Sequence, residues 1–507
     1  MERKKKTTVI SMIIAVVLLA GITVASFTLF QPKKNDNPSG NLPRNDPANS
    51  NSPDSPVTPP QPSGDTEVSP DDSFVFIDGG TFTMGSPENE AYRDSDEVYH
   101  NVTVSPFWID PYEVLQNDYE AIMGENPSHF RGSALPVENV TWYEAIEYCN
   151  KKSIAAGLTP VYEISETTVT WDRSANGYRL LTEAEWEFVC RAGTTTPFPT
   201  GEFMHTDEAN YQGNYPYMVE EHYSMGTIPD GASRSHYYGT NRGTTIRVDS
   251  LAPNAYGVYN MNGNVSEWCF DYYAAYDTSD TTDPTGAASG SLRVNRGGGY
   301  NDFCKHLRSA YRSATNPIDT DQNLGFRICR NAEAGADKVE TTYSLNITIP
   351  ANPRILVAYF SYSGNTQTAA RMIADMTGGD LFEIERTSGD YRRVYPESAA
   401  ELKSWTKPTL KNHVADISQY DVILLGYPTW WATTPMPVVS FLEEYDLSGK
   451  TVIVFSSHGG TMFGDSVSEV SKLAPDSYIG LGYEFNYSGS SRQAISEWLK
   501  QNGVPEK

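Results

Sequence analysis

Three short stretches in the last third of the chain have the residue types and spacing to hold a phosphorylated ligand with a flat ring. The first is Ser361-Tyr-Ser-Gly-Asn-Thr366, which follows an apolar run and opens directly into a helical pattern. That placement turns backbone N–H groups at the positive end of a helix toward a phosphate. Ser361, Ser363 and Thr366 add hydroxyl donors around Asn365, and Gly364 lets the backbone approach the ligand closely. The loop carries no Lys or Arg, so it is not the Gly-Lys-Ser/Thr loop of nucleoside triphosphatases. The second stretch, Gly426-Tyr-Pro-Thr-Trp-Trp431, offers Pro428, Thr429 and the flat apolar face of Trp430 or Trp431 to a ring system. The third, Ser456-Ser-His-Gly-Gly460, supplies Ser457 and His458, with Gly459 and Gly460 allowing backbone amides to reach the ring's polar edge. A different chemistry is suggested by Cys304 and His306. A thiol beside an imidazole can be a nucleophile or a metal pair, and i,i+2 neighbours in a strand point the same way.

The elements that must position the three loops follow from periodicity. Ile355–Phe360, Val422–Tyr427 and Thr451–Ser456 are continuous apolar runs, as expected of parallel strands buried on both faces. Thr366–Met376, Pro435–Glu444, Ser466–Leu473 and Arg492–Gln501 have helical spacing. Alternation of the two gives a doubly wound α/β sheet, and each loop lies at the carboxyl end of a strand, where such sheets bind ligands. Upstream, between Phe74 and Cys329, apolar runs are short and Gly, Asn, Trp and Tyr are frequent. Two helices are expected there, Trp142–Ala156 and Thr182–Arg191. In the second, Thr182 is a good N-cap, and Glu183, Glu185 and Glu187 suit the positive helix end.

The run Ile355–Tyr359, the loop Ser361–Thr366, the loop Gly426–Trp431 with Thr434-Pro-Met-Pro437, and Ser457–Gly460 together resemble the flavodoxin family. They are similar in particular to short flavodoxin-like proteins with a Tyr-Pro-x-Trp-Trp loop. The resemblance covers nearly all of Arg354–Val504. It implies FMN held at its phosphate by 361–366 and at its isoalloxazine by 428–431 and 457–460, with one- or two-electron transfer as the activity.

The middle of the chain has its own motifs. They are Phe82-Thr-Met-Gly-Ser86, Gly177-Tyr-Arg-Leu-Leu-Thr-Glu-Ala-Glu-Trp-Glu187, Tyr256-Gly-Val-Tyr-Asn-Met-Asn-Gly-Asn-Val-Ser-Glu-Trp268 and Arg293-Val-Asn-Arg-Gly-Gly-Gly-Tyr300. Arg308, Arg312 and Leu324-Gly-Phe-Arg327 close the set. As a group they resemble the sulfatase-modifying factor (formylglycine-generating enzyme) family, whose irregular α+β fold is related to C-type lectins. The resemblance implies a copper site of two cysteines between the Gly-Gly-x-Tyr strand and the Arg-x-Ala-x-Arg segment. Here that interval is Asn301-Asp-Phe-Cys-Lys-His306 and holds only Cys304. One thiolate cannot form a two-thiolate copper(I) site, so formylglycine-generating activity is not expected. The resemblance also implies calcium, with Asn264 and Glu267 of Gly263-Asn-Val-Ser-Glu267 as oxygen ligands and Asn210 in a second loop; hard oxygen donors on a turn suit that ion. Cys149 and Cys329 match, within one residue, positions bridged in family members, and the odd total of five cysteines leaves at least one unpaired if the protein is exported.

Composition frames these domains. The chain has 507 residues and a formal charge of −26, which excludes a basic nucleic-acid-binding face. Met1-Glu-Arg-Lys-Lys-Lys6 precedes an uncharged apolar run, Thr7–Phe30, long enough for a signal anchor or a signal peptide cleaved after Ala25. The lysines favour a cytoplasmic N-terminus with everything after Phe30 outside. Residues 31–72 form a Pro/Asn/Ser-rich spacer, 73–331 the formylglycine-generating-enzyme-like domain, 332–353 a second joint and 354–507 the flavin domain. The expected protein is a membrane-anchored, extracytoplasmic redox protein whose electron donor is unidentified. An oxidase or protein-modifying enzyme acting on a thiol or a sulfatase, and a lectin-like surface binding module, are the competing readings.

Overall fold

In the computed structural model the described residues are 73–507, apart from 166–167, 214–216, 218–238, 280, 333–337, 344–346, 348, 460–461 and 487–488. They belong to the unit Glu67–Lys507. The apolar run 1–30, the spacer 31–72 and Gly460 lie outside the described residues. Among the described residues no helix is long and apolar enough to cross a membrane.

The two helices expected in the middle domain form where their caps place them. Trp142–Ala155 begins at Thr141, whose side chain accepts from Glu144 N while the Glu144 side chain reaches back to the Thr141 backbone. Glu183–Arg191 begins with the same reciprocal box, Thr182 with Glu185. A third helix, Gln116–Met123, is not marked in the sequence, since its N-cap is Leu115, which has no side-chain acceptor. The strands around these helices are short. Val75–Ile77 and Cys329–Asn331 flank Phe107–Ile109 in one antiparallel sheet, so the first and last strands of the domain close on a shared partner. Ser266–Tyr272 pairs with Arg293–Arg296, which pairs with Ser313–Thr315, and Leu324–Gly325 adds to the other side. The joint expected over 332–353 contains a strand, Lys338–Tyr343, paired with Thr168–Asp172 and Ser289–Gly290. That half of the joint is therefore built into the middle domain's sheet.

All nine residues of Glu183–Arg191 are buried, three glutamates included. The sequence reading assigned those glutamates to the helix dipole, but the structure gives them arginine partners. Glu183 binds Arg312, Glu185 binds Arg179, and Glu187 binds both Arg191 and Arg296. Arg308, Arg312 and Arg327 of the C-terminal motifs are fully buried in the same way. These arginines hold the short strands together through charged hydrogen bonds that a small apolar core could not supply.

Glu138 is the opposite case. It is fully buried, one carboxyl oxygen accepts from Phe130 N, and the other has no hydrogen-bond partner. Burial pushes its carboxyl up to about 8. A carboxyl raised in the folded state contributes stability below its unfolded value of 4.5 and loses it as pH rises to about 8. Glu138→Gln should therefore raise the melting temperature at pH 8 and leave it nearly unchanged at pH 4.5, as differential scanning fluorimetry at the two pH values would read.

The C-terminal domain is one parallel sheet. Asp380–Glu383, Ile355–Tyr359, Val422–Pro428, Thr451–His458 and Tyr478–Ile479 lie side by side in that order, and Tyr483–Asn486 continues the last edge. Alternate residues of each central strand feed opposite cores. Leu356, Ile423 and Val452 face one, and Val357, Leu424 and Ile453 the other. Helices Asn365–Thr377, Met436–Glu444, Ser466–Leu473 and Arg492–Gln501 match the expected periodicity, and Val394–Lys403 is additional. The first core continues into the middle domain through Leu292 and Ala314. Around it Ser313 Oγ donates to Asp465 Oδ1 at 2.7 Å, Ala314 N to Ser468 Oγ at 3.2 Å, and Lys472 Nζ pairs with Asp94 at 2.8 Å.

Candidate functional site

The three ligand loops meet at the carboxyl edge of the parallel sheet and are tied to one another. Thr366 Oγ1 and Ser457 Oγ lie 2.9 Å apart, joining the first loop to the third. Thr429 N donates to Ser457 O at 3.0 Å, and Thr429 Oγ1 contacts Ser456 Oγ at 2.6 Å, joining the second to the third. Pro428 pairs with Ser457 in the strand register, which sets the height of both loops.

The first loop has the features of an anion cradle. Gly364 caps the helix Asn365–Thr377 at φ +86°, and no side chain accepts a hydrogen bond at that cap. A left-handed residue at this position turns the Ser361–Ser363 backbone across the helix end, and glycine adopts it without strain. The Ser361 hydroxyl is buried and has no hydrogen-bond partner. A buried hydroxyl without a partner, beside a helix start that has no side-chain cap, is the group a bound phosphate would satisfy. Thr366 is buried, whereas Ser363 is exposed.

The two tryptophans separate. Trp430 packs edge-on against Phe360 at 5.3 Å, Tyr391 at 5.2 Å and Tyr362 at 6.1 Å between ring centroids. It therefore stands beside the first loop, with Tyr362 47% exposed next to it. Trp431, at φ +58°, turns away, donates from Nε1 to Ser398 Oγ at 3.0 Å and packs with Phe303, Met436 and Val439 at the contact with the middle domain. Tyr362 is thus an exposed aromatic at the loops that the residue pattern did not single out, although it lay inside the Ser361–Thr366 motif. His458 is half-buried, accepts from Met462 N at 3.3 Å, and has its pKa lowered by desolvation. Gly459 is exposed at the rim. The donor set fits a flavin phosphate at Ser361, Gly364, Asn365 and Thr366, with the Tyr362–Trp430 pair and the 457–459 backbone available to a flat ring beside it. A separate cavity of about 190 Å³ lies in the middle domain, lined by Arg191, Met204, Pro253 and Met261 among others.

In the middle domain the expected sites are rearranged. Cys304–Leu307 is a single turn of 3₁₀ helix, not a strand. At three residues per turn the i and i+2 side chains diverge. Cys304 Sγ faces Met204 O at 3.8 Å, while His306 Nδ1 lies 3.1 Å from Asp465 Oδ2. Burial pushes the Cys304 thiol up to about 12, so it is a neutral thiol at physiological pH and a poor nucleophile. All five cysteines are buried and none is bridged, Cys149 and Cys329 included.

The expected calcium ligands do not fit the ion. Glu267 accepts from Arg327 Nη2 at 2.7 Å and from Trp186 Nε1 at 3.0 Å. Asn264 Oδ1 accepts from Asn210 Nδ2 at 3.1 Å and Ile246 N at 2.8 Å. Of the three side chains only Asn210 Oδ1 lacks a partner, against the six to eight oxygens that calcium takes. Gly263, at φ +90°, holds this turn so close to Asn210 that a Cβ there would sit 2.5 Å from its carbonyl oxygen. The Gly263–Glu267 motif is thus the turn that delivers Glu267 to a buried arginine.

Comparison with known proteins agrees with this architecture. Residues 60–332 match the model of the sulfatase-modifying factor enzyme 1-like domain, and residues 354–502 match that of flavodoxin. The chaperone protein LppX of Paenibacillus barcinonensis is 34% identical over 287 residues, covering 53% of this chain and 92% of that protein. The formylglycine-generating enzyme of Mus musculus is 29% identical over 303 residues, covering 52% of this chain and 76% of the enzyme. An inferred flavoprotein of Bacteroides eggerthii DSM 20697 is 32% identical at a TM-score of 0.28, covering 30% of this chain and 99% of that one. The chain belongs to the sulfatase-modifying factor enzyme 1-like family and carries a flavodoxin-family domain joined behind that fold.

Proposed function

We propose that the chain is an FMN-binding electron-transfer protein, anchored by its N-terminal apolar run with both domains outside the cytoplasm. The observation that carries the flavin reading is the buried, unpartnered Ser361 hydroxyl beside the Gly364-capped helix start. FMN, when bound, supplies one- or two-electron chemistry. The residues of this chain have other tasks. Ser361, Thr366 and the first amides of the 365–377 helix take the phosphate. The Tyr362–Trp430 pair covers one side of the ring, and the 457–459 backbone meets its polar edge. The full chain, purified and incubated with FMN, should be yellow and release one FMN per chain on denaturation. A colourless chain that ignores added FMN would sink the reading. For the anchor, protease added outside intact cells should remove both domains.

The middle domain is proposed to bind a ligand or organise a partner and not to generate formylglycine. Cys304 is its one thiol in the copper interval and is buried as a neutral group. Incubated with copper and a cysteine peptide of the sulfatase type, the full chain should form no aldehyde. Aldehyde formation that disappears in Cys304→Ser would reverse this reading.

A further inference from the structure

At the junction of the two domains, two carboxylates and an imidazole converge. Asp302 and His306 come from the middle domain and Asp465 from the start of the flavodoxin helix Ser466–Leu473. Each brings one ligand atom to within 4.8 Å of the others. His306 is 3% exposed and Asp302 4%. His306 Nδ1 and Asp465 Oδ2 pair at 3.1 Å, with an alignment too poor for a well-formed hydrogen bond.

The remaining atoms of these side chains are held in place. Asp302 Oδ2 accepts from Gly299 N at 2.7 Å and from Asn323 Nδ2 at 2.6 Å. Asp465 Oδ1 accepts from Ser313 Oγ at 2.7 Å. The His306 ring stacks between Phe303 and Tyr311, at 5.8 and 4.7 Å between centroids. Outer groups that fix each ligand's orientation are characteristic of metal centres. Lys472, the nearest candidate counter-charge on the Asp465 helix, is committed to Asp94 at 2.8 Å. Lys305 lies over the Trp405 ring, 4.7 Å from its centroid.

We propose that Asp302, His306 and Asp465 bind one divalent transition-metal ion, Zn(II) or a chemical neighbour such as Mn(II), and that this ion bridges the two domains. One imidazole and two carboxylates without a thiolate suit these ions and not copper(I). Two carboxylates brought together out of water repel each other, and a dication between them turns that cost into attraction. Three protein ligands leave a coordination position open for water or a small ligand.

The test uses the full chain, stripped with a chelator and dialysed against Zn(II), with metal content read by mass spectrometry and affinity by competition with a chromophoric chelator. One zinc per chain is expected. His306→Gln and Asp465→Asn should each weaken it by at least about 100-fold. Co(II) in place of zinc should give a visible spectrum of nitrogen and oxygen ligation that His306→Gln abolishes. Asp94→Asn breaks the Lys472 ion pair at the same junction without touching a ligand, and it should keep its zinc. A stripped wild-type chain that takes up no zinc overturns the proposal, as does a His306→Gln chain that keeps it. Equal loss in Asp94→Asn and Asp465→Asn overturns ligation by Asp465.

Discussion

Replacing Arg308 with leucine should destabilise the middle domain by about 3–5 kcal/mol, the cost of leaving a buried carboxylate without its partner. Arg308 is fully buried and uses all five of its N–H donors. Nε donates to Lys305 O at 3.1 Å, Nη1 to Glu90 and Glu97 at 2.7 Å each, and Nη2 to Tyr92 O and Glu97 at 2.6 Å each. Glu97, itself fully buried, also accepts from Ser86 Oγ at 2.6 Å, so its negative charge has no route to water. Lysine cannot replace the guanidinium, because it has three donors on one nitrogen and no fork. Urea unfolding of the full chain, followed by tryptophan fluorescence, reads the loss. The double variant Arg308→Leu with Glu97→Leu should be less destabilised than the two single losses summed, because the stranded charge is gone. A loss below about 1 kcal/mol for Arg308→Leu would mean the pair behaves like a surface salt bridge.

Gly364→Val should weaken FMN binding by about 5- to 30-fold. The cap residue sits at φ +86°, where a β-branched L-residue is strained by about 1–2 kcal/mol. A Cβ at Gly364 meets nothing within 4 Å, so the variant has room to fold and the cost comes from the backbone alone. Without ligand the loop relaxes away from the left-handed conformation, and FMN has to restore it. The strain therefore appears as lost affinity. Gly364→Asn should lose much less, because asparagine tolerates that conformation. Fluorescence titration of the stripped full chain with FMN separates the three. Equal affinity in Gly364→Val and the natural chain would show that the loop's left-handed turn does not matter to binding.

How much of this was legible in the sequence depends on the range of each interaction. Continuous apolar runs located the three central strands of the flavodoxin sheet, because burial on both faces is written in each strand's own residues. The edge strand Asp380–Glu383 carries charges at both ends and half-exposed residues between, so it has no such signature. Thr182 and Glu185 predicted a helix start correctly, since a cap is local. The partner of Glu185 and one of those of Glu187 were local, Arg179 and Arg191, but Arg312 beside Glu183 and Arg296 beside Glu187 lie more than a hundred residues away, and only the fold brings them together. Separation in sequence also hid the pairing of Glu267 with Arg327, which left its carboxylate looking like a cation ligand. Cys304 and His306 were adjacent in sequence and invited a joint reading. The 3₁₀ turn that parts them is set by packing around Phe303 and Leu307 and not by a propensity in the six residues themselves.

The core that runs from Leu292 and Ala314 into the parallel sheet has a kinetic meaning. Two separate proteins must find each other by diffusion, and their traffic slows as they are diluted. Joined domains sharing a core meet at a local concentration that the chain itself sets. The contact between the parallel sheet and the neighbouring fold is therefore independent of how dilute the protein is.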